Sequence, residues 1–157
     1  MYSKRFLAGW SEMDFNGHMK NTAFLDKAAD VRLMFLAEKG FPTAEFLRLR
    51  MGPVVVRDEI DYRKEVDLLQ EIDVTLALAG MSPDGSRWIF HTQVLRDGKA
   101  CARMRNSGAW IHLDSRKLVA PPAALLAALE SLAKTADFEI LRGVVRGSAR
   151  PPAESNR

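Results

Sequence analysis

A carboxylate, a glycine, a histidine and an amide side chain lie close together in the stretch MDFNGHMKN at 13–21. The carboxylate of Asp14 can attack an electrophilic carbonyl directly, or it can orient and deprotonate a water molecule that attacks instead. Gly17 has no side chain, so the backbone there can approach a bound group closely. The same stretch can also be a polar turn, in which Asp14 accepts hydrogen bonds from nearby backbone amides. The elements around it must decide between the two readings.

A long helix is predicted immediately after this stretch. Apolar residues recur at helical spacing in TAFLDKAADVRLMFLAEKG, which predicts a helix over residues 22–39. Asn21 or Thr22 can cap its start and Gly40 its end. The first N–H groups of a helix have no internal partners and carry the positive end of the helix dipole. They can therefore stabilise an oxygen that becomes negatively charged during a reaction.

The other segments have mainly strand signals. A strand is predicted at 4–10 and four more follow the helix, two of them joined by the Asp97-Gly98 dipeptide that is typical of tight hairpins. A short amphipathic helix is predicted in AALLAALESLAK. Because short turns make neighbouring strands antiparallel, the order predicts an α+β domain with an antiparallel sheet of about five strands and one long helix.

Length and charge indicate one soluble domain. A chain of 157 residues is long enough to bury a core of its own. The net charge of +3 comes from residues 142–157, which hold four arginines and one acid; the rest of the chain is neutral. We therefore expect a single domain over residues 1–141, a basic disordered tail over 142–157, and no nucleic-acid partner.

The cysteine count and the hydropathy of the sequence indicate in which cellular compartment the protein is expected. Cys101 is the single cysteine, which excludes an intramolecular disulfide framework. No apolar run approaches the roughly 20 residues of a membrane-spanning helix, and the N-terminus lacks a signal-peptide pattern. We expect a cytoplasmic protein without membrane insertion. His91 and His112 lack acidic or cysteine partners at ligand spacing, so no metal site is expected.

The motif and the element order together resemble the hot-dog fold, in which a curled antiparallel sheet wraps one long central helix. More narrowly, the chain resembles the 4-hydroxybenzoyl-CoA thioesterase-like group of acyl-CoA thioesterases. That group has an Asp-x-x-Gly-His-x-x-Asn-like motif between its first strand and its central helix, which here is Asp14, Gly17, His18 and Asn21. The resemblance extends through PVVVRDEIDYRKEV and LRDGKACARMRNSGAWIHLDSRKLVAPP. It covers roughly residues 3–123.

The resemblance implies hydrolysis of an acyl-CoA thioester, with Asp14 as the catalytic carboxylate and no cofactor besides the CoA of the substrate. It places Gly17, His18 and Asn21 in the same site. Family members often have tyrosine where this chain has Phe24, which we expect on the pocket side of the helix. Cations on neighbouring strands are candidates for binding the CoA phosphates: Arg57, Arg63, Lys64, Arg103 and Arg105.

The same resemblance implies assembly, because hot-dog proteins typically pair two sheets side by side and build the site across the dimer. We expect a homodimer or a homotetramer. Two alternative functions remain at this point. One is a non-catalytic acyl-thioester binding or assembly module, and the other is a hot-dog hydratase or dehydratase. The latter is disfavoured because no second histidine pairs with an acid near a proline-rich motif.

Overall fold

The computed structural model describes residues 1–144, and most of the tail predicted at 142–157 lies outside the described residues. These described residues form six strands and three α-helices. The strands are β1 (Tyr2–Leu7), β2 (Met51–Tyr62), β3 (Glu71–Met81), β4 (Arg87–Arg96), β5 (Lys99–His112) and β6 (Lys134–Ile140). The helices are α1 (Asn21–Glu38), α2 (Thr43–Arg48) and α3 (Ala123–Glu130). A short 3₁₀ turn at Trp10–Glu12 leads from β1 towards α1.

One sheet has the strand order β1-β3-β4-β5-β2, and every pair along it is antiparallel. The turn between β4 and β5 has positive φ at both Asp97 (49°) and Gly98 (71°), as a two-residue hairpin of this type requires. Among the described residues, β2 pairs only with β5, so β2 is an edge strand. The predicted α+β class with an antiparallel sheet is confirmed.

The core lies between α1 and one face of the sheet. The buried side of α1 includes Phe24, Val31 and Phe35, and it packs on alternate residues of the strands such as Leu76 and Phe90. Alternation places every second side chain of a strand on this inner face. The buried apolar stripe of α1 is therefore what fixes the helix on the sheet and sets the position of its N-terminus.

One glycine is needed for the close approach of two strands on this face. A Cβ at position 108 would lie 2.3 Å from Trp88 Cη2 and 2.3 Å from the carbonyl oxygen of Val54. Gly108 of β5 stands directly opposite Trp88 in the register of β4 and β5. The indole ring therefore occupies the space that a side chain at position 108 would fill.

Three details differ from the sequence-based expectations. A sixth strand, β6, follows α3 and pairs in parallel with β3 along the same edge as β1. The helix α1 begins at Asn21, one residue earlier than predicted. Neither Asn21 nor Thr22 caps it: the N-cap residue is Lys20, and no side chain caps the helix.

Candidate active site

The motif around Asp14 forms a tight turn. Asp14 Oδ1 accepts hydrogen bonds from the amides of Asn16 (2.8 Å) and His18 (3.1 Å). The amide of Asp14 donates to the carbonyl of His18 (2.6 Å), and the amide of Gly17 donates to the carbonyl of Asp14 (3.2 Å). Gly17 has a φ of +77°, a conformation that glycine adopts without strain. The turn reading of the motif therefore describes the local structure, and it fixes the orientation of the carboxylate.

Within the described residues, the turn leaves one carboxylate oxygen of Asp14 without a hydrogen bond. Both side-chain hydrogen bonds of Asp14 in the described part of the chain go to Oδ1, so Oδ2 remains available. The side chain is exposed in the single chain, as is the neighbouring Phe15. An anchored carboxylate with a free oxygen can still act as a nucleophile or as a base. The turn geometry and the chemical role are therefore compatible.

The imidazole of His18 faces carboxylates from a distant part of the sequence. Its Nε2 lies 3.4 Å from Glu65 Oε2 and 3.5 Å from Asp67 Oδ1, and its backbone pairs with Asp67. Next to it, the amide of Met19 donates to the carbonyl of Val66 (2.7 Å). The segment after β2 thus holds the Asp14 turn from one side. Sequence reasoning missed Glu65 and Asp67, because nothing in their local pattern marks a contact with His18.

A mostly buried ion pair attaches the start of this loop to α1. Lys27 Nζ contacts Glu12 Oε1, and the two side chains are only 12% and 17% exposed. Glu12 Oε2 also accepts a hydrogen bond from the amide of Gly9 (2.8 Å). Burial raises the pKa of Glu12, but the hydrogen bonds from Lys27 and Gly9 outweigh it, and the pKa lies below its ordinary value. Glu12 is therefore a charged anchor for the loop that holds Asp14.

Within residues 1–144, two backbone amides at the N-terminus of α1 have no hydrogen-bond partner. The carbonyl of the N-cap Lys20 accepts from the amide of Ala23 (3.0 Å), and no side chain caps the helix. By their position, the amides of Asn21 and Thr22 have no partner inside the helix. The carbonyl of Asn21 accepts a hydrogen bond from the Tyr62 hydroxyl (3.1 Å), which attaches the end of β2 to this terminus. The free donors of this site are thus Asn21 and Thr22, because the amides of Gly17 and His18 belong to the turn.

A cleft of about 300 Å³ opens at this terminus. Four of the residues predicted for the site line it: Asn21, Phe24, Arg63 and Lys64. The cleft is also lined by Met19, Tyr62 and Glu65. The rings of Phe24 and Tyr62 meet edge to face, with centroids 5.5 Å apart. A tyrosine hydroxyl is thus present beside Phe24, supplied by β2 instead of by the helix. Asp14 is not among the lining residues of the single chain.

The remaining predicted cations lie elsewhere. Arg57 is on β2 and its Nη2 lies 2.6 Å from Glu59 Oε1. Arg105 forms two ion pairs of 2.9 Å with Asp137 and Glu139 of β6. Arg103 and Arg105 line a second, charged groove of about 600 Å³, which Arg63 also borders. Arg63 is therefore the cation common to both depressions.

Cys101 and His91, which the sequence analysis also considered, both lie on strands of the sheet. Cys101 is fully buried, and burial raises the pKa of its thiol. Burial lowers the pKa of His91, which lies beside Arg103 and Arg105. Within residues 1–144, no three His, Cys, Asp or Glu side chains gather as a metal site would require. None of the helices in that range is long and apolar enough to cross a membrane.

A long helix packed on one antiparallel sheet, with a carboxylate turn just before the helix, defines the protein as a hot-dog-fold domain. The model of the thioesterase-like superfamily matches residues 8–129, and the chain belongs to that family. Thioester hydrolysis is the general activity that this membership supports. Among curated proteins, none matches the sequence.

Several solved structures are similar to this one. PA5185 from Pseudomonas aeruginosa is 25% identical, with a TM-score of 0.73, over 85% of this chain and 92% of that one. The 1,4-dihydroxy-2-naphthoyl-CoA thioesterase Slr0204 from Synechocystis is 15% identical, with a TM-score of 0.75, over 83% and 96%. SAV2348 from Staphylococcus aureus, solved in complex with CoA, is 18% identical, with a TM-score of 0.76, over 82% and 81%.

Proposed function

We propose that this protein hydrolyses an acyl-CoA thioester to the free acid and CoA, with Asp14 as the catalytic carboxylate. The observation that carries the proposal is the Asp14 turn. It anchors Oδ1 through two amides and leaves Oδ2 free, a few residues before the uncapped N-terminus of α1. The family to which the chain belongs supports thioester chemistry. A carboxylate and free helix amides are the two groups that this chemistry needs.

The N-terminus of α1 is assigned the role of stabilising the negative charge that develops during the reaction. When an oxygen attacks the thioester carbon, negative charge develops on the carbonyl oxygen. The free amides of Asn21 and Thr22 are donors that need no reorganisation to stabilise it, and removing one such donor from comparable sites costs about 3 to 4 kcal/mol. CoA thiolate is a good leaving group, so its departure requires no strong acid.

Asp14 can serve by either of two routes. In the first, Oδ2 attacks the thioester carbon, CoA thiolate leaves, and water then attacks Cγ of Asp14 in the mixed anhydride, which releases the free acid and restores the carboxylate. In the second, the carboxylate takes a proton from a water molecule that attacks in the same position. A single turnover in ¹⁸O-labelled water separates them. Direct attack with opening of the anhydride at Asp14 Cγ leaves the product acid of the first turnover unlabelled and puts the label on Asp14 in that same turnover, whereas the water route labels the product and leaves Asp14 unlabelled.

CoA binding requires cations. Arg63 and Lys64 line the cleft at the helix terminus, which makes them the first candidates for the CoA phosphates. Arg57 and Arg105 are further candidates, although each already has a carboxylate partner. His18 is assigned a positioning role, since Glu65 and Asp67 hold its imidazole beside the turn.

We also propose that the protein works as a homodimer, or as a homotetramer built from such dimers, through the edge of β2. Within the described residues this twelve-residue strand has no partner beyond β5, and Val56 on it is 75% exposed. Trp10 and Phe15, on either side of Asp14 in the sequence, are 81% and 104% exposed. Open strand edges and exposed aromatic rings are normally covered. Light scattering should give at least twice the protomer mass, and Val56→Lys should lower it; a monomeric wild type would refute the assembly.

The decisive experiment compares Asp14→Asn with the wild-type protein in a thiol-release assay over a panel of acyl-CoAs. Asparagine keeps the oxygen that accepts from Asn16 and His18, so the turn is retained while the anionic oxygen is lost. We expect the turnover rate to fall by at least about a hundredfold. Asp26→Asn, on an exposed position of α1, is the matched control and should keep full activity. Full activity of Asp14→Asn refutes the role of Asp14, and binding without thiol release by the wild type would instead indicate a non-catalytic binding module.

A further inference from the structure

One side-chain hydrogen bond joins the end of β2 to the first turn of α1. The hydroxyl of Tyr62 donates to the carbonyl oxygen of Asn21 over 3.1 Å. The same carbonyl accepts the amide of Leu25 in the i to i+4 pattern of an α-helix. A carbonyl oxygen has two lone pairs, so it can accept both donors. The Tyr62 hydroxyl is therefore a second donor to a carbonyl that the helix already satisfies.

Burial does not force the Tyr62 hydroxyl onto this carbonyl. Tyr62 is 50% exposed, and a half-exposed hydroxyl can bond to water without losing its hydration. The ring instead meets the buried ring of Phe24 edge to face, with centroids 5.5 Å apart and planes at 77°. This contact holds the ring against the first turn of α1. The direction of the hydroxyl is thus set by packing in the wall of the cleft, which both rings line.

The carbonyl of Asn21 and the amide of Thr22 belong to one peptide unit. Within residues 1–144 no peptide bond is cis, so the C=O and the N–H of this unit point in opposite directions. In a helix the N–H points towards the N-terminus, where the cleft opens. A hydrogen bond that the carbonyl accepts draws electron density from the peptide nitrogen, which makes the N–H a stronger donor. Tyr62 therefore acts on a free amide of the candidate site without occupying it.

We propose that Tyr62 orients and strengthens the Thr22 amide as a donor to the oxygen that becomes negatively charged during thioester hydrolysis. This inference rests on the proposed function. The hydroxyl donates to the Asn21 carbonyl, the Thr22 N–H donates to the developing oxyanion, and no proton is transferred along this chain. Tyr62 is thus a positioning residue that acts through the backbone of α1.

The size of the effect follows from the strength of such donors. Removing one of them from comparable sites lowers kcat about a hundredfold to a thousandfold. Neighbouring hydrogen bonds strengthen one another by about 10 to 30%. On a logarithmic scale this fraction corresponds to a contribution of Tyr62 to kcat of about twofold to eightfold. KM should change little, because the strengthened donor acts on charge that develops only after the substrate has bound.

The first test removes the hydroxyl and keeps the ring. Tyr62→Phe is compared with the wild-type protein on the acyl-CoA that the wild type hydrolyses fastest. We expect kcat to fall about twofold to eightfold and KM to stay within about twofold. The matched control is Tyr2→Phe, whose ring packs on Phe35 near the other end of α1 (centroids 5.1 Å apart), and it should keep kcat. An unchanged kcat in Tyr62→Phe, or a change confined to KM, overturns the proposal.

The second test makes the hydroxyl a stronger donor. Tyr2 and Tyr62 are the two tyrosines of the chain, so 3-fluorotyrosine supplied to the Tyr2→Phe protein enters only at position 62. Fluorine draws electron density from the phenol and strengthens its donation, so the single-turnover rate of thiol release should rise above that of unlabelled Tyr2→Phe. A hydrogen bond with only a structural role gives no rise, and an unchanged or lower rate overturns the proposal. This protein also decides the question if Tyr62→Phe does not fold.

Failure of the proposed function would give a different result. Wild-type protein that releases no thiol from any acyl-CoA refutes the thioesterase proposal itself. Wild-type activity that Asp14→Asn abolishes and Tyr62→Phe leaves unchanged keeps the proposed function and removes only the role of Tyr62.

Discussion

Glu12 provides the sharpest test of how the candidate site is held together. Glu12→Gln removes the anionic partner of Lys27 but keeps an oxygen that can accept from Gly9. Lys27 then has a mostly buried charge without its main partner, although Asp30 remains 3.6 Å away. Removing one partner of a fully buried ion pair costs about 3 to 5 kcal/mol, whereas exposed pairs contribute about 0 to 1 kcal/mol. Because this pair is mostly buried and Asp30 compensates in part, we expect a loss of about 2 kcal/mol in the free energy of unfolding.

Urea unfolding at pH 7 and at fixed protein concentration measures this loss through tryptophan fluorescence. The matched control is Glu45→Gln, which breaks a pair with Arg48 on the surface of α2. Arg48 is 68% exposed, so the control should lose only about 0.3 kcal/mol. Equal losses in the two variants would refute the argument that burial determines the contribution of Glu12.

The pH dependence supplies an independent check on the same residue. The folded pKa of Glu12 lies below the ordinary value of 4.5, because the hydrogen bonds from Lys27 and Gly9 outweigh burial. The stabilisation is therefore fully present above the unfolded pKa and is lost as the pH falls through the folded pKa. The difference between wild type and Glu12→Gln should shrink below pH 4.5. A difference that stays constant through the acid range would contradict the ion pair as its source.

Two further predictions concern the core. Gly108→Ala should lower the free energy of unfolding by at least about 3 kcal/mol, because the new methyl group overlaps both Trp88 and the backbone oxygen of Val54. Gly52→Ala, where the methyl group makes ordinary contact, should change it by less than about 1 kcal/mol in the same urea assay; similar losses would contradict the steric argument. The buried thiol of Cys101, whose pKa is raised by burial, should react with a disulfide reagent at pH 8 at least about tenfold more slowly in the native protein than in urea. Equal rates would contradict its burial.

Local patterns were sufficient for most of the fold. The apolar spacing of α1 predicted its extent to within one residue at each end, because a stripe that must face a core leaves a 3.6-residue period in the sequence. Asp97-Gly98 predicted the hairpin because few dipeptides adopt positive φ twice. The strand β6 was missed, although Ala136, Phe138 and Ile140 alternate with Asp137 and Glu139 in KTADFEI. Its pairing with β3 is parallel and distant in sequence, so only the tertiary fold specifies it.

The candidate site was predictable only in part. The sequence predicted Asn21 and Phe24 as site residues at the start of the helix, and both line the cleft, whereas the role of Asp14 stays a prediction. Glu65, which faces His18, could not be found, because that contact depends on where the end of β2 returns to the loop.

The two edges of the sheet differ in the length of unpaired strand that they present to another strand. On the β3 side, β1 covers residues 71–76 and β6 pairs at positions 78–81, so this border consists of two short strands. The β2 side is one strand of twelve residues, with a shift of register between Val55 and Arg57. When two such strands pair around a twofold axis, each strand occupies the unpaired backbone edge of the other. In the proposed dimer, lateral addition of sheets at β2 would stop at this pair, which would limit the tendency of the protein to polymerise into fibres.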